Sequence, residues 1–252
     1  MQLLLILCGL IIGFIMISLG MGAALYIGCF ITLFHLPDKT AAATALVTTL
    51  PALIIGTYSY RKHEVDFHNG NHLLIWALLG TIGGSLAIPY INKHYYQIII
   101  SVILIILALS ILYKAWLAPH LHHHWHISHS LDRLTAYFAS VISGIMVGLA
   151  GMSGGGPIVA GMLLLDAPIA QAAATSSYIR IWTTTLGIGL HWHTMTISWQ
   201  PAIFMMIGTV IGAALAPHVM HKLGGNEKRS FTHIMKPLIA LILLFMGIKP
   251  FL

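Results

Sequence analysis

The chain has 252 residues, of which 58% are hydrophobic and only 7% are charged. A soluble domain carries roughly 25% charged residues, so this composition excludes a water-soluble globular protein and puts the chain in a bilayer. The formal net charge is +6, but no basic helix or RNA-binding module accompanies it, so it reads as loop charge and not as a nucleic-acid surface.

Cutting at polar clusters gives apolar segments near 2–35, 40–60, 72–90, 96–117, 134–165, 168–190, 199–218 and 231–249. Backbone polar groups in lipid must pair within the segment and strand-like alternation is absent, so the fold class is all-α, a polytopic membrane protein. The first segment opens at Met1-Gln2-Leu3 without the basic stretch of a secretory signal peptide and is expected to belong to the fold. Cys8 and Cys29 lie inside it and read as small hydrophobes, not as a disulfide framework. Six segments have the roughly 20-residue length of a membrane-spanning helix. Segments 2–35 and 134–165 are too long for one crossing and too short for two comfortable ones. Glycine interrupts both, as Gly20-Met21-Gly22 and as Gly151-Met152-Ser153-Gly154-Gly155-Gly156-Pro157. Each is either a broken helix that crosses once or a re-entrant hairpin that enters and leaves on one side.

Loop charge arbitrates between these. Single crossings divide the loop Lys and Arg residues 5 against 6, whereas re-entrant segments divide them 8 against 3, the asymmetry expected of cytoplasmic loops. The re-entrant arrangement leaves three full crossings per half, so the halves would be inverted. The predicted organisation is a first transmembrane repeat over 1–117, a histidine-rich linker over 118–133 and a second repeat over 134–252. The linker run His120-Leu-His122-His123-His124-Trp-His126-Ile-Ser-His129 lacks nearby carboxylates and thiolates. It is expected to be a solvated loop that gains charge below about pH 6.5, with no metal site or cofactor.

The two halves carry related text. Gly20-Met21 matches Gly151-Met152, Pro37 matches Pro168, Ala41-Ala42-Ala43-Thr44 matches Ala172-Ala173-Ala174-Thr175 and Gly56 matches Gly187, all 131 residues apart. Gly80-Thr81, Gly84 and Pro89 match Gly208-Thr209, Gly212 and Pro217 at a spacing of 128. Repeats that open on glycine-interrupted segments point to a secondary transporter with its site between the halves.

The run Gly148 to Pro157, then Asp166-Ala-Pro168 and Ala172 to Ser176, together with the first-half series His35-Leu-Pro37, Ala41 to Thr44 and Gly80 to Gly84, resembles the TauE/SafE sulfite exporter family over nearly the whole chain. The resemblance implies a multi-pass exporter of small sulfur-containing or organic anions, such as sulfite or sulfoacetate, in the bacterial cytoplasmic membrane. In one departure, the first half reads Gly20-Met-Gly22-Ala23-Ala24 where the family often shows a triple glycine.

The residues suit an anion independently of that resemblance. A helix that starts just after the triple glycine, with Pro157 in its first turn, would point unpaired N–H groups toward the bilayer midplane. Ser153, Gly154, Gly155 and Gly156 are therefore candidate substrate-binding residues, with Gly20 and Gly22 as their first-half counterparts. Thr175 and Ser176, with the neighbouring Ser177, add hydroxyl donors, and Thr44 and Thr48 do so in the first half. Close helix packing is the structural alternative for these small residues. Arg180 is the basic residue set well inside an apolar span, a placement that costs at least about 2.5 kcal/mol on insertion scales, so a paired anion or a carbonyl cluster is expected, with snorkelling or a hairpin cap through Asp166 as the structural alternative. Its counterpart 131 residues earlier is Thr49. His191-Trp192-His193 and His35 sit at segment ends, where a gate, a proton path or an interfacial belt are the readings.

Three rival functions remain open. The histidines could serve a metal-cation carrier, although the six acidic residues all fall at segment ends or loops. Gly151-Met152-Ser153-Gly154-Gly155 satisfies G-x-S-x-G, the pattern of an intramembrane serine hydrolase, although Ser153 aligns with Gly22. A purely structural assembly role would also demand small residues. The favoured reading is a transporter and not an enzyme, with a small anionic substrate and membrane lipids as partners, no nucleic acid, and self-association left open.

Overall fold

The computed structural model describes residues 2–19, 24–60, 65–87, 129–150, 154–165, 167–192 and 196–222, with single positions between 90 and 109 and between 241 and 248. Segments 96–117 and 231–249 and the linker before His129 therefore lie largely outside the described residues. Those described form eight helices and no strand.

The first half contributes α1 (Gln2–Leu19), α2 (Ala24–Phe34), α3 (Asp38–Ser59) and α4 (Phe67–Ala87). The second contributes α5 (His129–Ala150), α6 (Gly155–Leu164), α7 (Ile169–His191) and α8 (Trp199–Lys222). Each long apolar segment is thus two separate helices on either side of its glycines. At 1.5 Å per residue α1 and α5 are about 27 and 33 Å long, whereas α2 and α6 reach only about 16 and 15 Å, half a hydrocarbon core. α6 folds back on α5, with Gly154 against Ser143 and Gly161 against Ala136, one antiparallel register. Two helices, over Lys39–Ser59 and Trp199–Val219, are by themselves long and apolar enough to cross a membrane.

Proline starts the third helix of each half. Pro37 (φ −57°, ψ 144°) precedes α3 and Pro168 (φ −56°, ψ 148°) precedes α7 in the same conformation. The carbonyl of each accepts the first helical hydrogen bond, from Ala41 and from Ala172, both at 2.8 Å. The ring fixes φ near its helix-entry value and the missing N–H costs nothing there.

The halves exchange their last described helices. One apolar core joins α1, α2 and α3 to Met205, Ala213 and Ala216 of α8. The other joins α5, α6 and α7 to Leu73 and Ala77 of α4. Glycine makes both exchanged seams. Gly208 and Gly212 of α8 press on the backbone of Ile6 and Leu10, while Gly9 and Gly13 of α1 press on Met205 and Thr209. In the same way Gly144 and Gly148 of α5 meet Ala77 and Thr81, and Gly80 and Gly84 of α4 meet Val141 and Ile145. A Cβ at any of these positions would collide with main chain, so the helices approach only because none is present.

Between the two cores α3 and α7 pack against each other, with Leu46 beside Gly187. They run in opposite directions, because the start of α3 lies by the residues that follow α7, and the start of α7 by those that follow α3. Two hydrogen bonds mark this: the Ser198 N–H donates to Thr44 Oγ1 (3.1 Å) and the Asp66 N–H donates to Thr175 Oγ1 (3.0 Å).

A candidate anion site between the halves

α7 carries a stripe of polar side chains into the centre. Ser176, Ser177, Arg180, Thr183 and Thr184 are all fully buried. Ser176, Arg180 and Thr184 are spaced by four and so share one face. Ser176 Oγ donates to the carbonyl of Gly155 at 3.3 Å, which ties the polar face to the first residue of α6. α6 begins at Gly155, inside the triple glycine and not just after it, with Pro157 in its first turn as expected. Gly154 is buried so tightly against Ser143 that a side chain there would strike it.

Arg180 lies one turn beyond Ser176. Both residues lie on the same face of α7, four positions apart. The guanidinium is also within electrostatic reach of Tyr26, in the first turn of α2. The centre therefore combines the beginnings of both half-length helices with one arginine, an arrangement that presents N–H dipoles and a fixed positive charge together.

The other hydroxyls chosen from the sequence have local partners. Thr44 donates to the Thr40 carbonyl (2.6 Å) while it accepts from Ser198, and Thr48 donates to the Thr44 carbonyl (2.7 Å). Thr175 accepts from Asp66, and Ser177 donates to Ala173 (3.0 Å). Thr49, the counterpart of Arg180, donates to the Leu46 carbonyl at 3.0 Å. Gly20, Gly22 and Ser153 lie outside the described residues, as do His193 and the linker histidines up to His126. His191 is buried, with its ring 3.1 Å from the Gly148 carbonyl, and His35 is exposed in a left-handed conformation (φ 50°) that ends α2. No three His, Cys, Asp or Glu side chains converge among the described residues.

Tyr26 escaped the sequence reading. It is fully buried, and among the described residues its hydroxyl has no hydrogen-bond partner. A tyrosine in an apolar run reads as core; the usable signal was its place just after the Gly20–Ala24 interruption.

Over residues 5–249 the chain matches the family model described as sulfite exporter TauE/SafE. It is similar to the "Probable membrane transporter protein YunE" of Bacillus subtilis (strain 168), 24% identical over 260 residues that cover 94% of each chain. No solved structure matches it. The match spans nearly the whole chain and reaches into every described helix: this membrane protein belongs to the TauE/SafE sulfite exporter family.

Proposed function

We propose that the protein moves small sulfur-containing or organic anions, sulfite and sulfoacetate-like species among them, across the bacterial cytoplasmic membrane by alternating access. The observation that carries this reading is Arg180, fully buried one turn from the Ser176–Gly155 contact. Arginine stays protonated, and at this depth its charge is costly unless an anion balances it. The α6 start adds backbone donors for the oxygens of a sulfonate or carboxylate. The candidate ligands are Arg180, Gly154, Gly155, Gly156 and Ser176, with Ser153, Gly20 and Gly22 beside the breaks and the Thr44, Thr48 and Thr175 hydroxyls behind them.

The repeats 1–117 and 134–252 are read as inverted, with α5–α6 and its first-half counterpart as re-entrant hairpins. The opposed α3 and α7 and the antiparallel α5–α6 pair support this. One half then rocks against the other around the fixed site. Export is driven by membrane potential or a proton gradient; equal flux with and without an imposed gradient would remove the coupling.

The decisive test is flux of radiolabelled sulfite and small sulfonates into proteoliposomes. Saturable flux is expected in the wild type, with a loss of at least about 100-fold in Arg180→Ala, as befits removal of a buried charge that holds the substrate. Ser153→Ala should retain it, whereas a hydrolase at Ser153 would be silenced. Wild-type flux that does not saturate, or that survives Arg180→Ala, would sink the reading.

A further inference from the structure

We infer that the Tyr26 hydroxyl is a substrate ligand, the first half's donor to the same oxyanion that Arg180 holds from the second half; this rests on the anion-transport reading above. Tyr26 stands in the first turn of α2, at the counterpart position of Pro157 in α6. Where the second half places a residue with no donor at all, the first half places a phenol. Conversely Arg180 of the second half aligns with Thr49, whose hydroxyl is bonded within its own helix. Each half therefore contributes one long polar side chain, from non-equivalent positions, and the two lie within electrostatic reach of each other across the boundary between the halves.

Burial makes the hydroxyl informative. Tyr26 has no exposed surface, and its Oη bonds to no described residue. Its polar neighbour Thr209 gives its own proton to the Met205 carbonyl at 2.6 Å, so it could only accept from the phenol, and the geometry of that hydrogen bond is not met. Buried hydroxyls are satisfied almost without exception, because an unmade hydrogen bond in a dry interior is expensive. A side chain needed only for volume would be phenylalanine, as Phe30 is one turn further along the same helix. The phenol is a neutral donor beside a permanent cation, so together they fit an anion with localised oxygen lone pairs. A halide satisfies the charge but gains less from a directed O–H donor. Tyr26 thereby favours sulfite, sulfonate or carboxylate over a halide of equal charge.

The test is Tyr26→Phe in the full chain, with two readouts. The first is sulfite flux in proteoliposomes as KM and kcat, with bromide as competitor. The second is melting temperature in detergent. Because the hydroxyl has no hydrogen-bond partner among the described residues, its removal should leave the melting temperature unchanged or raised. KM for sulfite should rise about tenfold, the scale of one hydrogen bond to a charged group, while the bromide inhibition constant holds within about twofold. An unchanged KM at unchanged melting temperature overturns this inference and leaves the transport reading standing. A fall of several degrees assigns the hydroxyl a structural partner and overturns it as well. Absence of saturable oxyanion flux in the wild type overturns both readings.

Discussion

The two halves of the molecule agree where they build and differ where they face the centre. Pro37 and Pro168 start the third helices at almost the same angles, and Thr44 and Thr175 each accept a backbone N–H from the segment that enters the other half's last helix. Glycine seams α1–α8 and α4–α5 repeat the same exchange. At the centre the pairs diverge: Thr49 against Arg180, Ala45 against Ser176, Tyr26 against Pro157. The lesson is that the positions that build the scaffold match between the halves, whereas a few inward positions carry polarity in one half and not at the matching place in the other. A strictly two-fold site would need two arginines there, and their like charges would repel in a low-dielectric interior.

The seams allow the harshest test of that equivalence. Gly144→Val drives a side chain into the Ala77 carbonyl and Gly208→Val drives one into the Ile6 carbonyl. Backbone cannot step aside as a side chain does, so each substitution should abolish monodisperse protein in size-exclusion chromatography. Gly189→Val makes the control, since nothing lies near that glycine, and it should behave as wild type. Damage from one seam variant and not the other would break the comparison between halves. A gentler probe sharpens the asymmetry. Thr49→Ala removes only a bond within its helix, so sulfite flux should stay within about twofold, against the collapse expected for Arg180→Ala. Equal losses from both would mean that the arginine position is not special.

The scaffold was far more legible in the sequence than the site. Glycine and proline act locally, so the broken segments, the place of Pro157 in the first turn of α6 and, to within a few residues, the starts of α3 and α7 could be read from neighbouring residues. The exchange of α4 and α8 could not, because it depends on which glycine stripes meet across more than a hundred residues of chain. The N–H that Thr44 and Thr175 each accept was hidden for a related reason: a threonine after a small-residue run reads the same whether it faces an anion, a distant N–H or both. Arg180 stood out because a cation in an apolar span is costly and calls for a compensating partner, whether substrate, carbonyl cluster or hairpin cap. Tyr26 did not, because its ring alone justifies its place among Met16, Phe30 and Leu53, and the hydroxyl becomes conspicuous only when its surroundings are known.

The paired threonines carry the smallest effect. Thr44→Val and Thr175→Val keep the volume but remove the acceptor for Ser198 N–H and Asp66 N–H. Both sites are partly buried, and an unmet backbone donor there costs about 1–3 kcal/mol, so each variant should melt a few degrees lower in detergent. If the halves are equivalent in their scaffold, the two shifts should match, and the double variant should lose their sum because the bonds lie at opposite ends of α3 and α7. Flux discriminates further. A latch residue acts on the ease with which the halves separate, so its loss should change kcat more than KM, whereas a ligand residue would raise KM. A raised KM from Thr175→Val alone would mark that threonine as a substrate ligand without a first-half equivalent and make the divergence between the halves deeper than the arginine and the tyrosine.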